Sequence, residues 1–320
     1  MHLLVTGGAG FIGHHLIAAL YARYPDVHIT CIDNFDPFYD PAVKERNIQP
    51  FLDKPGFRLL RIDLGQTSVS QLQSLLPATL DTILHLAAKA GVRPSIQNPA
   101  AYYQANVVGT QNLLDFAAIK GVPQFVFASS SSVYGVNDHF PWKEDEQLIP
   151  ISPYASTKLA GEELGKEYSS QHPLRFIALR FFTVYGPGQR PDLAIHKFTK
   201  AIFQGEPLTI YGDGSTSRDY TYVNDIVRGI LAALEYQGSN YEIINLGNHY
   251  SIPLLDLIRG IEQATCRSAE LRFGPEQPGD VPKTYADISK ARRLLGYDPA
   301  TGLKEGLAAF VEWYRDQSGN

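Results

Sequence analysis

Six short apolar runs constrain this chain most: HLLVT (2–6), VHITCID (27–33), FRLLRID (57–63), DTILHLAA (81–88), QFVFASS (124–130) and RFIALRFF (175–182). Longer segments of helical period separate them, among them Ile12, Leu16 and Leu20 and the stretch from Ala100 to Ile119. Strand and helix in regular alternation predict an α/β fold, a doubly wound parallel sheet covered by helices on both faces. Ligands of such sheets bind beyond the carboxyl ends of the strands. After about residue 180 the rhythm loosens, with Gly and Pro punctuation at YGPGQRPD, YGDGSTSRD and GPEQPGDVP. The expected organisation is a first domain over 1–180, with a returning segment at about 220–250 that holds the strand YEIINLG, and a smaller mixed α/β domain over 181–219 and 251–320.

The first run leads into TGGAGFIG, which sets Gly7, Gly10 and Gly13 at three-residue spacing before a helix opened by Phe11 and Ile12. Glycines there let a pyrophosphate approach the backbone closely, and the helix N-terminus faces its charge. Alone, the triplet reads equally as an ordinary strand-to-helix turn. Asp33, followed by Asn34, ends the next run 20 residues after Gly13, where a carboxylate can accept from an adenosine ribose. The same carboxylate would repel a 2′-phosphate, so the expected cofactor is NAD and the first domain is read as a Rossmann-type NAD-binding domain. Asp63, with Leu64 beside it, either reaches the adenine ring or stands solvated in a loop. HLAAKAG places the small residues Leu86, Ala87 and Ala88, then Lys89, where backbone would lie along the cofactor.

In PYASTKLAGEELG, Tyr154 and Lys158 are four apart and share one helix face. A tyrosine with a pKa near 10 is a poor base at neutral pH, but a neighbouring ammonium and a positive nicotinamide ring both favour the phenolate. ASSSSVYG (128–135) adds four consecutive hydroxyls, and no carboxylate, at the end of an apolar strand.

Together these blocks, with FFTVYGPGQRPD, YGDGSTSRDYTYVNDIV and QPGDVPKTYADISKA, resemble the extended short-chain dehydrogenases/reductases, specifically the NAD-dependent nucleotide-sugar epimerase/dehydratase group, over almost the whole chain. The resemblance implies that NAD takes a hydride from C4 of a UDP-sugar while Tyr154 removes the 4-hydroxyl proton, and that Ser130 bonds the 4-oxygen. It also implies that Asn106 and Lys89 line the pocket, that Arg218 meets the diphosphate, that the second domain holds the nucleotide sugar, and that the protein is a homodimer packed through helices. Related dehydratases carry an Asp and a Glu where this chain has Ser131 and Ser132, and related decarboxylases keep a Glu. The expected reaction is therefore 4-epimerisation. Thr183 and Gln277 stand where glucose-type epimerases usually have Asn and Arg, and both resemble the glucuronate 4-epimerases. Neutral hydroxyls could accept a C6 carboxylate, or equally a hydroxymethyl group, and Arg190 suits a carboxylate or the diphosphate. Arg93 in AGVRPS and Asp280 in QPGD are further substrate-side candidates, and Tyr211 could stack on a uracil face or belong to the core. UDP-glucuronate and UDP-galacturonate are the expected pair. UDP-glucose and UDP-galactose are the alternative, and a sugar 4-ketoreductase or a non-catalytic NAD-binding protein the remote ones.

Composition excludes other classes. The net charge is −5, with no run of Lys or Arg, so an extended nucleic-acid surface is not expected. No apolar run approaches the roughly 20 residues of a membrane span, and no basic segment leads an apolar one at the start, so a cytoplasmic location is expected. Cys31 and Cys266 give neither a disulfide framework nor metal spacing, and no metal is expected. His14 and His15, adjacent on the first helix, are expected to point apart.

Overall fold

The computed structural model describes residues 1–275 and 281–318, so Gln277 and Asp280 lie outside the described residues. Strands form where the apolar runs predict: β1 (His2–Thr6), β2 (His28–Ile32), β3 (Phe57–Leu60), β4 (Thr82–His85), β5 (Gln124–Ser130) and β6 (Arg175–Phe181). Four short strands follow, β7 (Thr183–Tyr185), β8 (Leu208–Tyr211), β9 (Ser217–Arg218) and β10 (Tyr220–Tyr222), before β11 (Tyr241–Leu246) returns to the first six. The resulting seven-stranded parallel sheet has the order β11-β6-β5-β4-β1-β2-β3. With β12 (Ile252–Pro253) and β13 (Leu271–Gly274), the short strands pair as β10 with β7, β12 with β9 and β13 with β8.

The helices among the described residues are α1 (Phe11–Arg23), α2 (Pro41–Ile48), α3 (Val69–Leu75), α4 (Val92–Gln97), α5 (Pro99–Tyr103), α6 (Gly109–Lys120), α7 (Pro153–Gln171), α8 (Ala194–Gln204), α9 (Val223–Glu235), α10 (Leu254–Thr265), α11 (Ser289–Leu295) and α12 (Leu303–Ser318). One π-helical turn, Gln104–Val108, joins α5 to α6.

Successive strand residues point to opposite faces, and the two faces carry separate cores. Leu3, Val5, Val126 and Ile177 pack with Leu16, Leu20, Ile226 and Ile230 of α1 and α9. Leu4, Ile83, Phe125 and Phe176 pack with Leu72 of α3 and Leu113 and Phe116 of α6. A third cluster, with Tyr185, Ile195, Ile202, Ile258 and Phe310, holds α8, α10 and α12 together. Ile288, Ala291 and Tyr297 join the first core, although they fall in the stretch assigned from the sequence to the second domain. The reason is α11, which packs its small Ala291 face on β11 and α9.

The chain builds β1, β2 and β3 outward, then crosses back to add β4 on the other side of β1. At such a reversal the connections diverge and leave a crevice beyond the carboxyl ends of the two strands. The Thr6 hydroxyl and the buried His85 Nδ1 meet there at 2.7 Å, and Thr6 Oγ1 also accepts from the Ala87 N–H at 3.1 Å. His85 Nε2 reaches Thr110 of α6 at 3.0 Å, and burial lowers the imidazole to about 3, so the ring is neutral.

Candidate active site

A cavity of about 500 Å³ opens from that crevice. The glycine loop forms one end. A side-chain carbon on Gly13 would lie 2.2 Å from the Gly7 carbonyl oxygen, so only glycine lets α1 start this close to the loop. Gly10 at the N-cap provides no side-chain hydrogen bond to the first turn of α1, which leaves those amides to a ligand. Asp33 Oδ2 accepts from the Ala9 N–H at 3.1 Å and Oδ1 from the Phe35 N–H at 2.9 Å, with Lys44 Nζ 3.7 Å away. Asn34 donates to Asp63 Oδ2 at 2.9 Å, and Asp63 Oδ1 accepts from the Gly65 N–H at 2.8 Å. Asp63 is thus tied to the cavity wall rather than loose in a loop. Phe11, Ile12, Leu64 and the run Leu86 to Lys89 complete this half of the wall. Close backbone, a free helix start and a fixed carboxylate one strand away fit a dinucleotide without a 2′-phosphate.

Tyr154 and Lys158 stand on the first two turns of α7, which Ser152 caps by accepting from the Ala155 N–H at 3.2 Å and Pro153 opens. Gly161 lets α7 lie tight on β5: a side-chain carbon there would fall 2.4 Å from the Phe127 ring. In that position Lys158 Nζ donates to the Ala128 carbonyl at 2.7 Å. Burial pulls the Lys158 ammonium down from 10.5 to about 7, with Glu162 one turn on working against the fall. Burial pushes Tyr154 up, while a hydrogen bond from Ser130 and the Arg190 charge pull it back.

The four serines divide their work. Ser129 Oγ donates to Glu162 Oε1 at 2.5 Å, which ties β5 to α7. Glu162 in turn holds Arg180 of β6 through two bonds of 2.9 and 2.8 Å, and both side chains are 1% exposed. Ser130, beside the Tyr154 phenol, also accepts from the Ser132 N–H at 3.1 Å and so caps the turn Ser131–Tyr134. Ser132 reaches the cavity wall; Ser131 does not.

Thr183 and Arg190 are on the wall, and Arg190 is close enough for its charge to act on Tyr154. Arg190 is held by Asp192 through bonds of 2.9 and 2.7 Å and lies 5.4 Å from the centre of the Phe38 ring. Burial disfavours the Arg190 charge, but Asp192 overcomes it and leaves the guanidinium above its ordinary pKa.

Besides Ser130 and Ser131, four expected residues stand off the cavity wall. Asn106 sits in the π-helical turn behind the wall. Its amide accepts from the Lys89 N–H at 2.7 Å and donates to the Lys89 carbonyl and Thr157 at 2.9 Å, so it holds Lys89 in place rather than facing a ligand. Arg93 and Tyr211 meet each other, guanidinium to ring centre 5.2 Å, off the cavity wall. Arg218 donates to its neighbour Ser217's carbonyl at 2.9 Å and is also off that wall. Asp36, Phe38, Tyr39 and Tyr102 line the cavity and carry no motif that would mark them. Lys89 Nζ pairs with Asp36 at 2.7 Å, which ties the loop bearing Phe38 and Tyr39 to the opposite strand end on the cavity wall.

His14 and His15 correct the expectation that adjacent helix positions diverge. Their ring centres are 4.1 Å apart, because both side chains turn to one loop: His15 Nε2 meets the Pro187 carbonyl at 2.8 Å and His14 packs on Gly188.

The NAD dependent epimerase/dehydratase family matches residues 3–247. UDP-glucuronate 4-epimerase 4 of Arabidopsis thaliana is 41% identical, over 98% of this chain and 75% of that protein. The crystal structure of UDP-glucuronic acid 4-epimerase from Bacillus cereus, in complex with UDP-glucuronic acid and NAD, superposes with a TM-score of 0.93 at 39% identity, over 99% of this chain and 100% of that one. UDP-glucose 4-epimerase from Thermotoga maritima, with UDP-glucose, gives 0.90 at 32% identity, over 99% of each chain.

Proposed function

The chain belongs to the NAD-dependent epimerase/dehydratase family, and from that membership we propose that it is a UDP-sugar 4-epimerase that interconverts UDP-glucuronate and UDP-galacturonate. NAD is the cofactor of the family, and the glycine loop and Asp33 are the residues that would hold its pyrophosphate and adenosine ribose. When bound, it supplies the acceptor for a hydride from C4 of the sugar and the donor that returns it to the other face.

The chain's own groups handle the proton and the substrate's charge. Tyr154, aligned with Lys158 on α7, takes the 4-hydroxyl proton and gives it back after the 4-keto sugar has turned. The Lys158 ammonium favours the phenolate and Ser130 bonds the 4-oxygen. The observation that carries the uronate reading is the set around Tyr154: Ser132, Thr183 and Arg190 share its cavity wall, and the serine loop brings no carboxylate to it. Neutral donors and a guanidinium suit a C6 carboxylate, and a Glu in that loop would repel it. The 4-keto uronate is also a β-keto acid, and firm hydrogen bonds to its carboxylate hold the C–C bond out of alignment for loss of carbon dioxide. Tyr211 is assigned to the uracil and Arg218 to the diphosphate, Ser131 and Arg93 to the sugar, and Gln277 and Asp280 to the substrate side.

Residues 1–180 with a returning segment at about 220–250 are assigned to the cofactor, and 181–219 with 251–320 to the nucleotide sugar; the place of β11 in the main sheet supports this division, while α11 packs on the first core. A homodimer through helices is part of the proposal, in keeping with exposed Tyr103, Val108 and Ile119 around α6, and so is a cytoplasmic location. No described helix is long and apolar enough to cross a membrane. Sedimentation at micromolar concentration tests the dimer.

To test the function, the purified protein is incubated separately with UDP-glucuronate and UDP-glucose, and the anomeric signals are followed by proton NMR. Conversion of the uronate, with no added reductant, is the expected result. Conversion of UDP-glucose alone would keep the 4-epimerase chemistry and overturn the assignment of Ser132, Thr183 and Arg190 to a carboxylate.

A further inference from the structure

We propose that Asp192, by its pairing with Arg190, sets how strongly this site prefers an anionic sugar over a neutral one. The inference rests on the 4-epimerase reading and adds a residue that opposes the substrate's charge. Arg190 is the guanidinium on the cavity wall beside Tyr154, and Asp192 takes its Nε and Nη2 in a planar fork at 2.9 and 2.7 Å. Side-chain exposures of 18% and 28% place the pair where solvent screens it only in part. Loop geometry keeps both residues in one turn: the Leu193 N–H donates to the Arg190 carbonyl at 3.2 Å and the Gln189 N–H to the Gly186 carbonyl at 3.1 Å. His15 fixes the start of the same loop through Pro187.

An arginine has five N–H donors, so a fork to Asp192 leaves others for a ligand. The attraction that a free guanidinium would exert on a carboxylate is nevertheless largely cancelled by the Asp192 charge a few ångströms behind it. Such a site accepts a uronate through hydrogen bonds while keeping a modest electrostatic preference for it. UDP-glucuronate and UDP-glucose share the nucleotide and the diphosphate and differ by one charge at C6. The ratio of their specificity constants therefore isolates that charge from everything else Arg190 touches.

The experiment measures kcat/KM on both nucleotide sugars, and the Kd of each by titration calorimetry, for the NAD-loaded wild type and the variants D192N, D192E and R190A. D192N should raise the uronate-to-hexose ratio about tenfold, a Coulomb effect expected for unit charges several ångströms apart at a partly exposed site. D192E, which keeps the charge, should keep the wild-type ratio, and the D192N gain should shrink in 0.5 M salt. A ratio unmoved or lowered by D192N, or moved equally by D192E, overturns the proposal. Should D192N fail to fold, D192S provides the same neutral arm. Failure of the underlying reading shows separately: a wild type that turns over neither sugar refutes the epimerase assignment, while the ratio of Kd values still decides the role of Asp192.

Discussion

Replacing Glu162 by Gln is the sharpest test of the packing beneath the catalytic pair. Glu162 and Arg180 are each 1% exposed, so the substitution leaves a guanidinium in the core without its counter-ion. An amide oxygen can replace one of the two bonds to Arg180, but its NH₂ opposes the other. Ser129 also loses a carboxylate acceptor at 2.5 Å. Breaking one partner of a buried ion pair costs about 3–5 kcal/mol. At about 2 °C per kcal/mol for a chain of this size, the melting point should fall by about 6–10 °C. Most of that cost is the stranded Arg180 charge, so Glu162→Met with Arg180→Met should recover much of it, since Tyr134 keeps its bond to Asn245 at 2.7 Å. Activity should not recover with it, because Ser129 still lacks its acceptor and the register of β5 on α7 is loosened. Urea unfolding of NAD-free protein followed by circular dichroism reads the stability, and turnover of UDP-glucuronate reads the rest. A single variant that loses less than 1 kcal/mol, or a double variant no more stable than the single one, would refute the reasoning.

Three further outcomes are expected. Tyr154→Phe should lower kcat by about 10²–10⁴ while NAD stays bound through purification, and near-normal turnover would remove Tyr154 as the base. Gly13→Ala puts a methyl 2.2 Å from the Gly7 oxygen and should cost about 1–3 kcal/mol and release NAD; cofactor absorbance that survives gel filtration would contradict the fit of the loop. Lys158 has its proton affinity lowered by burial to about 7, whereas the unfolded chain holds that proton to about 10.5. Between those values the unfolded state binds more protons, so the stability contribution of this group rises as pH increases from about 7 towards 10 and is lost as pH falls through 7. Urea midpoints of cofactor-free wild type and Lys158→Met at pH 7 and pH 9 check the sign; a wild-type slope no steeper than the variant's would contradict it.

The parallel sheet was legible because strands buried on both faces read as continuous apolar runs, and QFVFASS coincides with β5 from Gln124 to Ser130. FRLLRID overran, since pairing ends at Leu60 and Asp63 then turns the chain by accepting from the Gly65 N–H. Tyr154 and Lys158 were legible because their spacing alone puts them on one helix face. Nothing local marks Phe38, Tyr39 or Asp36, whose place on the wall depends on where Lys89 and Arg190 lie in space. Asn106 could not be told from a wall residue without the π-helical turn that sets it behind Lys89. No local pattern marks Glu162 for burial; its partner Arg180 comes from β6, which follows α7 in the chain.

The order of the sheet has a consequence for synthesis. β6 lies between β5 and β11, and roughly sixty residues separate its end at Phe181 from Tyr241. At about 5–20 residues per second, a nascent chain emerging from the ribosome carries β6 as a bare edge for several seconds. Five of its seven side chains are apolar, all but Arg175 are destined for burial, and such an edge is a template for pairing with other chains. Cellular yield of this protein should therefore be sensitive to chaperone supply during elongation, and a fragment ending near residue 182 would keep the glycine loop yet lack the strand that shields Phe176 to Phe181.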